Sequence, residues 1–300
     1  MAALWGSEPA GRAQGWARGA VRTGAKCAIV KCTVTHRAGI GPPAGTGSRI
    51  VEKEAGEFVP RKTKGSPTTL EHERALAASG SYRYVGAVDE VGRGSLAGPV
   101  SVGMVVIDIE AVTEYPELRD SKMLEPQVRE SMVEAIRSWT VGHGVGHATP
   151  AEIDRLGITA ALRLAGTRAA AQCAIQAQAA LVDGSYDWLS AKETDLFDLL
   201  ETDTEPSGLQ IPVRTLIKGD MTCQAIAAAS ILAKVERDGI MTAAAQTHPH
   251  YGWEVNKGYA TASHRAAITE HGPCALHRMS WRLTSETKKT ESEAMGSGKD

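Results

Sequence analysis

Aromatic residues, paired cysteines and long apolar runs are all scarce in this chain of 300 residues. Phe, Trp and Tyr together make up 5% of it, so the core must be built from Ala, Val, Leu and Ile. No run of about 18 apolar residues occurs, which argues against a membrane-spanning helix and a membrane partner. The 5 cysteines include no C-x-x-C pair, which is typical of reduced thiols in a cytoplasmic protein rather than of a disulfide framework or a zinc site.

Positive charge is scarce beyond residue 65. Residues 1–65 contain 11 Lys and Arg against 4 Asp and Glu, whereas the rest of the chain contains 22 against 31. An acidic globular part binds nucleic acid weakly without specific contacts, because the phosphate backbone repels it. Any polyanionic partner would therefore need a local basic patch or bound cations.

The chain divides into three parts by composition. Residues 1–67 lack sustained periodicity, and we expect a disordered or non-native N-terminal extension there. The absence of acids between Glu8 and Glu52 is also typical of an organelle transit peptide, so that interpretation stays open. Residues 68–283 carry the periodic segments of one folded domain, and residues 284–300 form a polar tail that we expect to be flexible.

The central domain has the pattern of an α/β fold. A short helix that Thr68 or Thr69 can cap precedes a hairpin of the strands RYVGAV and VSVGMVVIDI. A helix at residues 126–139, a third strand and two more helices follow, and then a fourth strand, ALVDG. The fifth strand, VRTLIKGD, runs into a long Ala-rich helix, and ASHRAAITEH is the last helix. This order predicts a mixed five-stranded sheet flanked by helices.

Acidic residues end three of these strands. Asp89 and Glu90 end the first, Asp183 the fourth and Asp220 the fifth. If the strands are neighbours, their ends lie about 5 Å apart, and the unpaired carboxylates raise one another's pKa. A hard divalent cation relieves this repulsion, and oxygen-only ligands select Mg²⁺ or Mn²⁺. Two such ions suit the hydrolysis of a phosphodiester.

Two of these acids also have a simpler interpretation. A lone Asp after a strand is usually a turn residue or a helix cap, which fits Asp183, and Asp220 precedes a long helix. The adjacent pair Asp89–Glu90 is harder to explain in this way, because one acid is enough for a cap. The metal hypothesis therefore rests on the set of four rather than on any single residue.

The turn after the acid pair matches a dinucleotide-binding pattern. Gly92, Gly94 and Ala97 satisfy G-x-G-x-x-A, which is typical of an NAD-dependent oxidoreductase. That motif needs a helix directly after the turn. Pro99 and the strand-like segment VSVGMVVI stand there instead, so we reject this alternative.

Seven motifs, in their order and spacing, closely resemble those of bacterial ribonuclease HII. They are AVDEVGRGSLAGPV, RDSKML, LVDG, KGD, AAASILAKVERD, NKGY and EHGPCALHRMSW, within about residues 70–283. The resemblance implies a ribonuclease H-like fold and a metal-dependent endonuclease that cleaves the RNA strand of RNA–DNA hybrids. It also implies nicking of duplex DNA on the 5′ side of an embedded ribonucleotide, with 3′-hydroxyl and 5′-phosphate ends. We further expect a cytoplasmic monomer that serves DNA replication and repair.

The resemblance also implies roles for individual residues. By motif match, the metal-binding and catalytic acids are Asp89, Glu90, Asp183 and Asp220. The turn that senses the ribose 2′-hydroxyl is Gly92, Arg93 and Gly94. Tyr259 matches the tyrosine that packs against the sugar at the RNA–DNA junction, and Lys122 matches a lysine near the substrate backbone. Glycine lets a backbone amide approach a sugar closely, and an arginine fork suits a phosphate.

The chain departs from the family pattern in one place. Family members often have DGN and then a basic residue after the third aspartate, whereas this chain has Ser185 and Tyr186 after Gly184, which puts a substrate contact in doubt. Ribonuclease HIII has a similar acid pair, but it usually has another residue where Arg93 stands and an added N-terminal domain. We therefore favour ribonuclease HII over this alternative.

Several other polar residues are weaker candidates. Five histidines follow one another closely, but their spacing fits no zinc pattern, so we expect structural or surface roles for His248, His250, His264, His271 and His277. Lys218 and Lys234 are further candidates for phosphate contacts.

Overall fold

The computed structural model describes residues 67–191 and 207–284. The predicted N-terminal extension and C-terminal tail fall outside the described residues, apart from Pro67 and Thr284 at their boundaries, so the division of the chain into three parts stays a prediction. None of the helices in this part combines the length and apolar character that crossing a membrane requires.

The described residues contain five strands and six α-helices. The strands are β1 (Tyr84–Val91), β2 (Val100–Asp108), β3 (Gly142–Ala148), β4 (Ala179–Asp183) and β5 (Val213–Leu216). The helices are α1 (Glu71–Gly80), α2 (Pro126–Trp139), α3 (Pro150–Gln172), α4 (Gln224–Thr247), α5 (Trp253–Asn256) and α6 (Ala262–His271). Gly157 interrupts α3 with φ 76° and ψ 162°, where the sequence predicts a break between two helices.

The strands form one mixed sheet in the order β3-β2-β1-β4-β5. β2 pairs antiparallel with both β1 and β3, so the predicted hairpin is present. β4 pairs parallel with β1 and with β5. The prediction of a mixed five-stranded sheet flanked by helices is confirmed.

Helices cover both faces of this sheet. Val85 and Ala87 of β1 pack on the face that α1, α2 and α4 cover, whereas Val88 packs on the face that α3 covers. Small residues let the helices lie close to the strands. A Cβ added to Gly103 would lie 2.2 Å from the carbonyl oxygen of Ala229 on α4. With few aromatic side chains to fill the core, helix α4 lies close to the sheet at this glycine.

Three local predictions about caps and strand ends are wrong. The Thr68 hydroxyl donates to the Leu118 carbonyl at 2.8 Å, so Thr68 does not cap α1, and the N-cap position is Leu70. Thr69 stands one residue before that position, and its hydroxyl accepts a long bond of 3.4 Å from the Glu71 N–H. β5 ends at Leu216, four residues before Asp220, because Lys218 has a left-handed backbone (φ 56°) that turns the chain into a single 3₁₀ turn. Asp220 lies in that turn and does not cap α4, which begins only at Gln224.

The close approach of β2 and α4 predicts opposite effects for two glycine-to-alanine substitutions. Gly103→Ala places a methyl group against a backbone carbonyl that cannot rotate away, so we expect a loss of about 1–3 kcal/mol of stability. Gly239→Ala adds a methyl group in open space on α4 and improves helix propensity, so we expect a gain of about 0.5–1 kcal/mol. Urea unfolding of both variants measures the difference, and equal stability for Gly103→Ala and the wild type would contradict the tight packing.

Candidate active site

Parallel pairing of β1 and β4 places two acids side by side. Val88 pairs with Val182, so the next residues, Asp89 and Asp183, lie level with each other where β4 ends. The prediction that Asp89 and Glu90 end the first strand is wrong, because β1 stays paired with β2 as far as Val91. Neighbouring strands are about 5 Å apart, and both residues point to the sheet face opposite Val88 and Val182. That face is covered by α4. Glu90 follows directly on β1.

Asp220 joins these acids from the turn after β5. The Oδ1 atom of Asp183 accepts a hydrogen bond of 2.7 Å from the backbone N–H of Gly219, the residue before Asp220. Asp220 is buried, and its Oδ2 atom receives the Lys122 ammonium at 2.9 Å. The four acids predicted from the sequence therefore meet at one corner of the sheet.

Burial and repulsion from neighbouring acids make three carboxylates of this corner, those of Asp89, Glu90 and Asp183, hard to ionise. Burial raises the pKa of Asp89 to about 8, and the charges of the other three acids add to this, although a hydrogen bond with Ser230 lowers it. Burial also raises the pKa of Glu90, against the opposing effect of Arg93. The pKa of Asp183 is raised by burial and by the charge of Asp220. The repulsion that the sequence predicts is thus present in the folded protein.

A cleft of about 410 Å³ opens at this corner. The predicted site residues that line it are Asp89, Glu90, Gly92, Arg93, Gly94, Lys122 and Tyr259. Asp183 and Asp220 lie beside the cleft rather than on its wall, connected to it through their contacts with Gly219 and Lys122.

Two serines that line the cleft are missing from the sequence-based prediction. Ser230 on α4 bonds Asp89, and its hydroxyl lies 2.8 Å from that of Ser121. Ser230 is the single polar residue in the apolar run AIAAASILA, and that contrast was the available signal. Ser121 offers no comparable signal, because its partner is 109 residues away in the chain.

Tyr259 also lines the cleft and contacts groups from α4 and α6. Its ring centre is 5.8 Å from the Lys234 ammonium and 5.4 Å from the Arg237 guanidinium. Its backbone carbonyl lies 2.9 Å from Nδ1 of His264, whose Nε2 lies 3.2 Å from Nε2 of His277. These two histidines are buried and their pKa values are lowered by burial, so they support the cleft wall.

The chemistry of the four acids fits a hard divalent cation. As the side chains are placed, no three His, Cys, Asp or Glu in residues 67–191 and 207–284 stand close enough to hold one ion. Lys122 instead provides the positive charge beside Asp220. However, the Oε2 atom of Glu90 is buried without a hydrogen-bond partner, and the donor set consists of carboxylate oxygens. Such donors favour Mg²⁺ or Mn²⁺, and a bound cation would relieve the repulsion among the acids.

Comparisons with known proteins agree with this fold. Residues 86–284 match the family model described as Ribonuclease HII. The ribonuclease HII of Streptomyces avermitilis is 40% identical over 215 residues, which cover 72% of this chain and 84% of that protein. That of Streptomyces griseus is 42% identical over 218 residues, with coverages of 72% and 84%. The crystal structure of ribonuclease H2 from Pyrococcus horikoshii is similar with a TM-score of 0.52 and 25% identity, over 67% of this chain and 94% of that one.

The raised pKa of Asp89 predicts that the metal-free protein loses stability as the pH rises. The folded protein keeps a proton on Asp89 up to about pH 8, whereas the ordinary pKa of 3.8 applies in the unfolded chain. Between these values the folded state binds more protons, so its stability falls with increasing pH.

Asp89→Asn should therefore raise the Tm in EDTA at pH 8 by roughly 3–6 °C, since each kcal/mol corresponds to about 2–4 °C in a domain of this size. Asp108→Asn is the matched control with the opposite sign, because a 2.7 Å ion pair with Arg83 lowers the pKa of Asp108 and stabilises its charged form. Thermal unfolding followed by circular dichroism measures both. A lower Tm for Asp89→Asn would contradict the repulsion.

Proposed function

Since this chain belongs to the ribonuclease HII family and is a ribonuclease H, we propose that it cleaves the RNA strand of RNA–DNA hybrids and nicks duplex DNA beside an embedded ribonucleotide. The nick lies on the 5′ side of the ribonucleotide and leaves 3′-hydroxyl and 5′-phosphate ends. The observation that carries this proposal is the meeting of four acids at one corner of the sheet, where two of them and a glycine-arginine-glycine turn line the same cleft. The expected monomeric state and cytoplasmic location stay predictions.

Asp89, Glu90, Asp183 and Asp220 are the residues that would hold Mg²⁺ or Mn²⁺, as a two-metal site. When bound, these cations supply the Lewis acidity that phosphodiester hydrolysis needs and offset the negative charge of the site. The hydrogen bond with Ser230 favours the charged form of Asp89, and the N–H of Gly219 orients Asp183. The chain's own part is to keep these carboxylates oriented before the substrate arrives.

Lys122 and Arg93 are the basic residues that contact the phosphates of the substrate backbone. The side chain of Lys122 is 73% exposed although its ammonium contacts Asp220, so its stem has room to turn toward a phosphate. Arg93 is 52% exposed and lies 3.4 Å from Glu90 Oε1. In the free protein each of these two side chains pairs with an acid. A mainly acidic domain needs such local positive charges to bind the phosphate backbone of a nucleic acid.

The two glycines of the turn differ in what they do. Gly92 has φ +79°, and a Cβ there would lie 1.9 Å from Nε of Arg237, so the fold itself requires glycine. A Cβ on Gly94 would meet nothing within 4 Å, so the fold does not. We attribute Gly94 to the need for space beside a ribose, which a methyl group would fill.

The oxidoreductase alternative lacks its structural context. The turn after β1 leads into β2, which returns antiparallel to β1, and no helix begins there. A dinucleotide pyrophosphate would therefore find no helix N-terminus to bind.

The direct test is a labelled DNA duplex with one ribonucleotide, incubated with the enzyme and Mg²⁺. We expect a nick on the 5′ side of that nucleotide and no cleavage of an all-DNA duplex of the same sequence. Asp183→Asn should lose more than about 100-fold in turnover, beyond the range found when a residue behind a metal ligand is replaced.

Asp187→Asn is the matched control for Asp183→Asn, because Asp187 lies four residues further on, after the end of β4, and accepts hydrogen bonds from the N–H groups of Leu189 and Ser190. We expect it to keep wild-type turnover. Equal cleavage of the all-DNA duplex would overturn the proposed sensing of the 2′-hydroxyl. Full turnover by Asp183→Asn would overturn its role as a ligand.

Gly94→Ala separates recognition from folding. We expect wild-type thermal stability together with a loss of about tenfold or more in kcat/KM on the ribonucleotide duplex, because the methyl group occupies the space of the sugar. Gly92→Ala is the comparison variant and should lose stability as well, because of its backbone angle and its contact with Arg237. Unchanged kcat/KM for Gly94→Ala would show that no sugar approaches this residue.

A further inference from the structure

Arg278 lies fully buried behind the turn that lines the cleft. Its Nη2 atom donates to the Gly92 carbonyl at 2.6 Å, and its Nη1 atom donates to the Arg93 carbonyl at 2.8 Å. Further bonds of 3.2 and 3.3 Å reach the Gly98 carbonyl. Burying a guanidinium is unfavourable unless strong hydrogen bonds replace its hydration. Within the described residues, backbone carbonyls of this one loop supply those bonds.

These bonds set the direction of two peptide units. In a trans peptide the C=O and N–H groups point in opposite directions, and no cis peptide bond occurs in the described residues. The carbonyls of Gly92 and Arg93 point inwards to Arg278, so the N–H groups of Arg93 and Gly94 point the other way. Since the turn lines the cleft, that way is outwards.

Neither of these two amides donates a hydrogen bond within the described residues. The next amides along the chain do: Ser95 donates to the Gly92 carbonyl at 3.3 Å and Leu96 to the Gly258 carbonyl at 2.8 Å. Two adjacent donors at the cleft are thus left for a ligand, and the absence of a side chain on Gly94 keeps the approach open.

We infer that Arg278 is a positioning residue, which holds the Gly92–Arg93 and Arg93–Gly94 peptide units so that their N–H groups are preset to bind the 2′-oxygen of the ribose. This inference rests on the proposed function. Glycine on both sides of Arg93 makes rotation of these peptide units easy, so a fixed orientation needs an external partner. Preset donors cost no reorganisation when the substrate binds, which is the condition for effective recognition.

A second buried arginine holds the far half of the same loop. Arg237 donates to the carbonyls of Pro99 and Ala97 at 2.9 and 3.2 Å and to the Ser95 hydroxyl at 2.8 Å. It makes no hydrogen bond to the carbonyls of Gly92 or Arg93 in the described residues. Of these two arginines, Arg278 therefore sets the orientation of the two cleft-facing amides, and Arg237 does not.

Arg278→Lys tests this role, because one ammonium cannot replace a fork that bonds two consecutive carbonyls. Arg265→Lys is the matched control, since Arg265 bonds the consecutive carbonyls of Arg282 and Leu283 outside the cleft at 3.2 and 2.9 Å. On the single-ribonucleotide duplex we expect Arg278→Lys to lose about tenfold or more in kcat/KM. We expect Arg265→Lys to stay within about twofold of the wild type.

Fluorescence anisotropy measures the affinity of each variant for an all-DNA duplex of the same sequence. If Arg278 merely stabilised the fold, Arg278→Lys would weaken this binding as well. We expect it to be equal for Arg278→Lys and the wild type. Wild-type kcat/KM for Arg278→Lys, or an equal loss of affinity for both duplexes, would overturn the inference. A wild type that cleaves both duplexes equally would overturn the proposed function itself, so the two failures are distinguishable.

A measurement on the wild type decides the question if Arg278→Lys does not fold. Amide proton spectra are recorded with Ca²⁺ in place of Mg²⁺, under conditions where gel analysis finds no cleavage. We expect the N–H groups of Arg93 and Gly94 to exchange quickly with solvent in the free protein. They should shift and become protected with the ribonucleotide duplex but not with the all-DNA duplex. Protection in the free protein, or the same response to both duplexes, would overturn the inference.

Discussion

The structure depends on one electrostatic constraint, which is that the sheet brings four acids to a single corner. Parallel pairing of β1 with β4 sets Asp89 level with Asp183, and the N–H of Gly219 ties the Asp220 turn to Asp183. The free protein tolerates this arrangement through a raised pKa at Asp89 and an ion pair between Lys122 and Asp220. In the free protein a proton on Asp89 and the ammonium of Lys122 offset the negative charge, although carboxylate oxygens are better ligands for a divalent cation. The repulsion among the acids therefore lowers the stability of the free protein.

The acids proposed to hold the metal ions and the turn proposed to recognise the ribose are neighbours, because β1 carries the acids and leads directly into the turn. Glu90 ends the acidic part of the strand, and the glycine-arginine-glycine turn begins two residues later. The acids need a cation to offset their charge, whereas the turn offers neutral N–H donors and depends on a buried guanidinium for its shape. The close packing of α4 against Gly103, the partner of Asp89 in the sheet, brings Ser230 within reach of that carboxylate.

The sequence predicts those parts of the molecule that depend on local patterns. The hairpin and the bounds of the last helix follow from neighbouring residues, and the pair Asp89–Glu90 is conspicuous where it stands. The end of β5 was not predictable, because nothing local announces the left-handed backbone of Lys218. Contacts across the chain were also out of reach, such as the bond from Arg278 to the Gly92 carbonyl, 186 residues away. The convergence of the acids was inferred only on the assumption that their strands are neighbours, and strand order is a property of the whole fold.

The central claim is that these carboxylates exist to bind divalent cations at the cleft. Anomalous diffraction from crystals of the wild-type protein soaked in Mn²⁺ tests it most directly, because manganese is identified by its own signal. We expect anomalous peaks in contact with Asp89, Glu90, Asp183 and Asp220, and the Lys122 ammonium withdrawn from Asp220. Crystals with no peak at this corner, or with manganese only elsewhere and the Lys122–Asp220 ion pair intact, would contradict it.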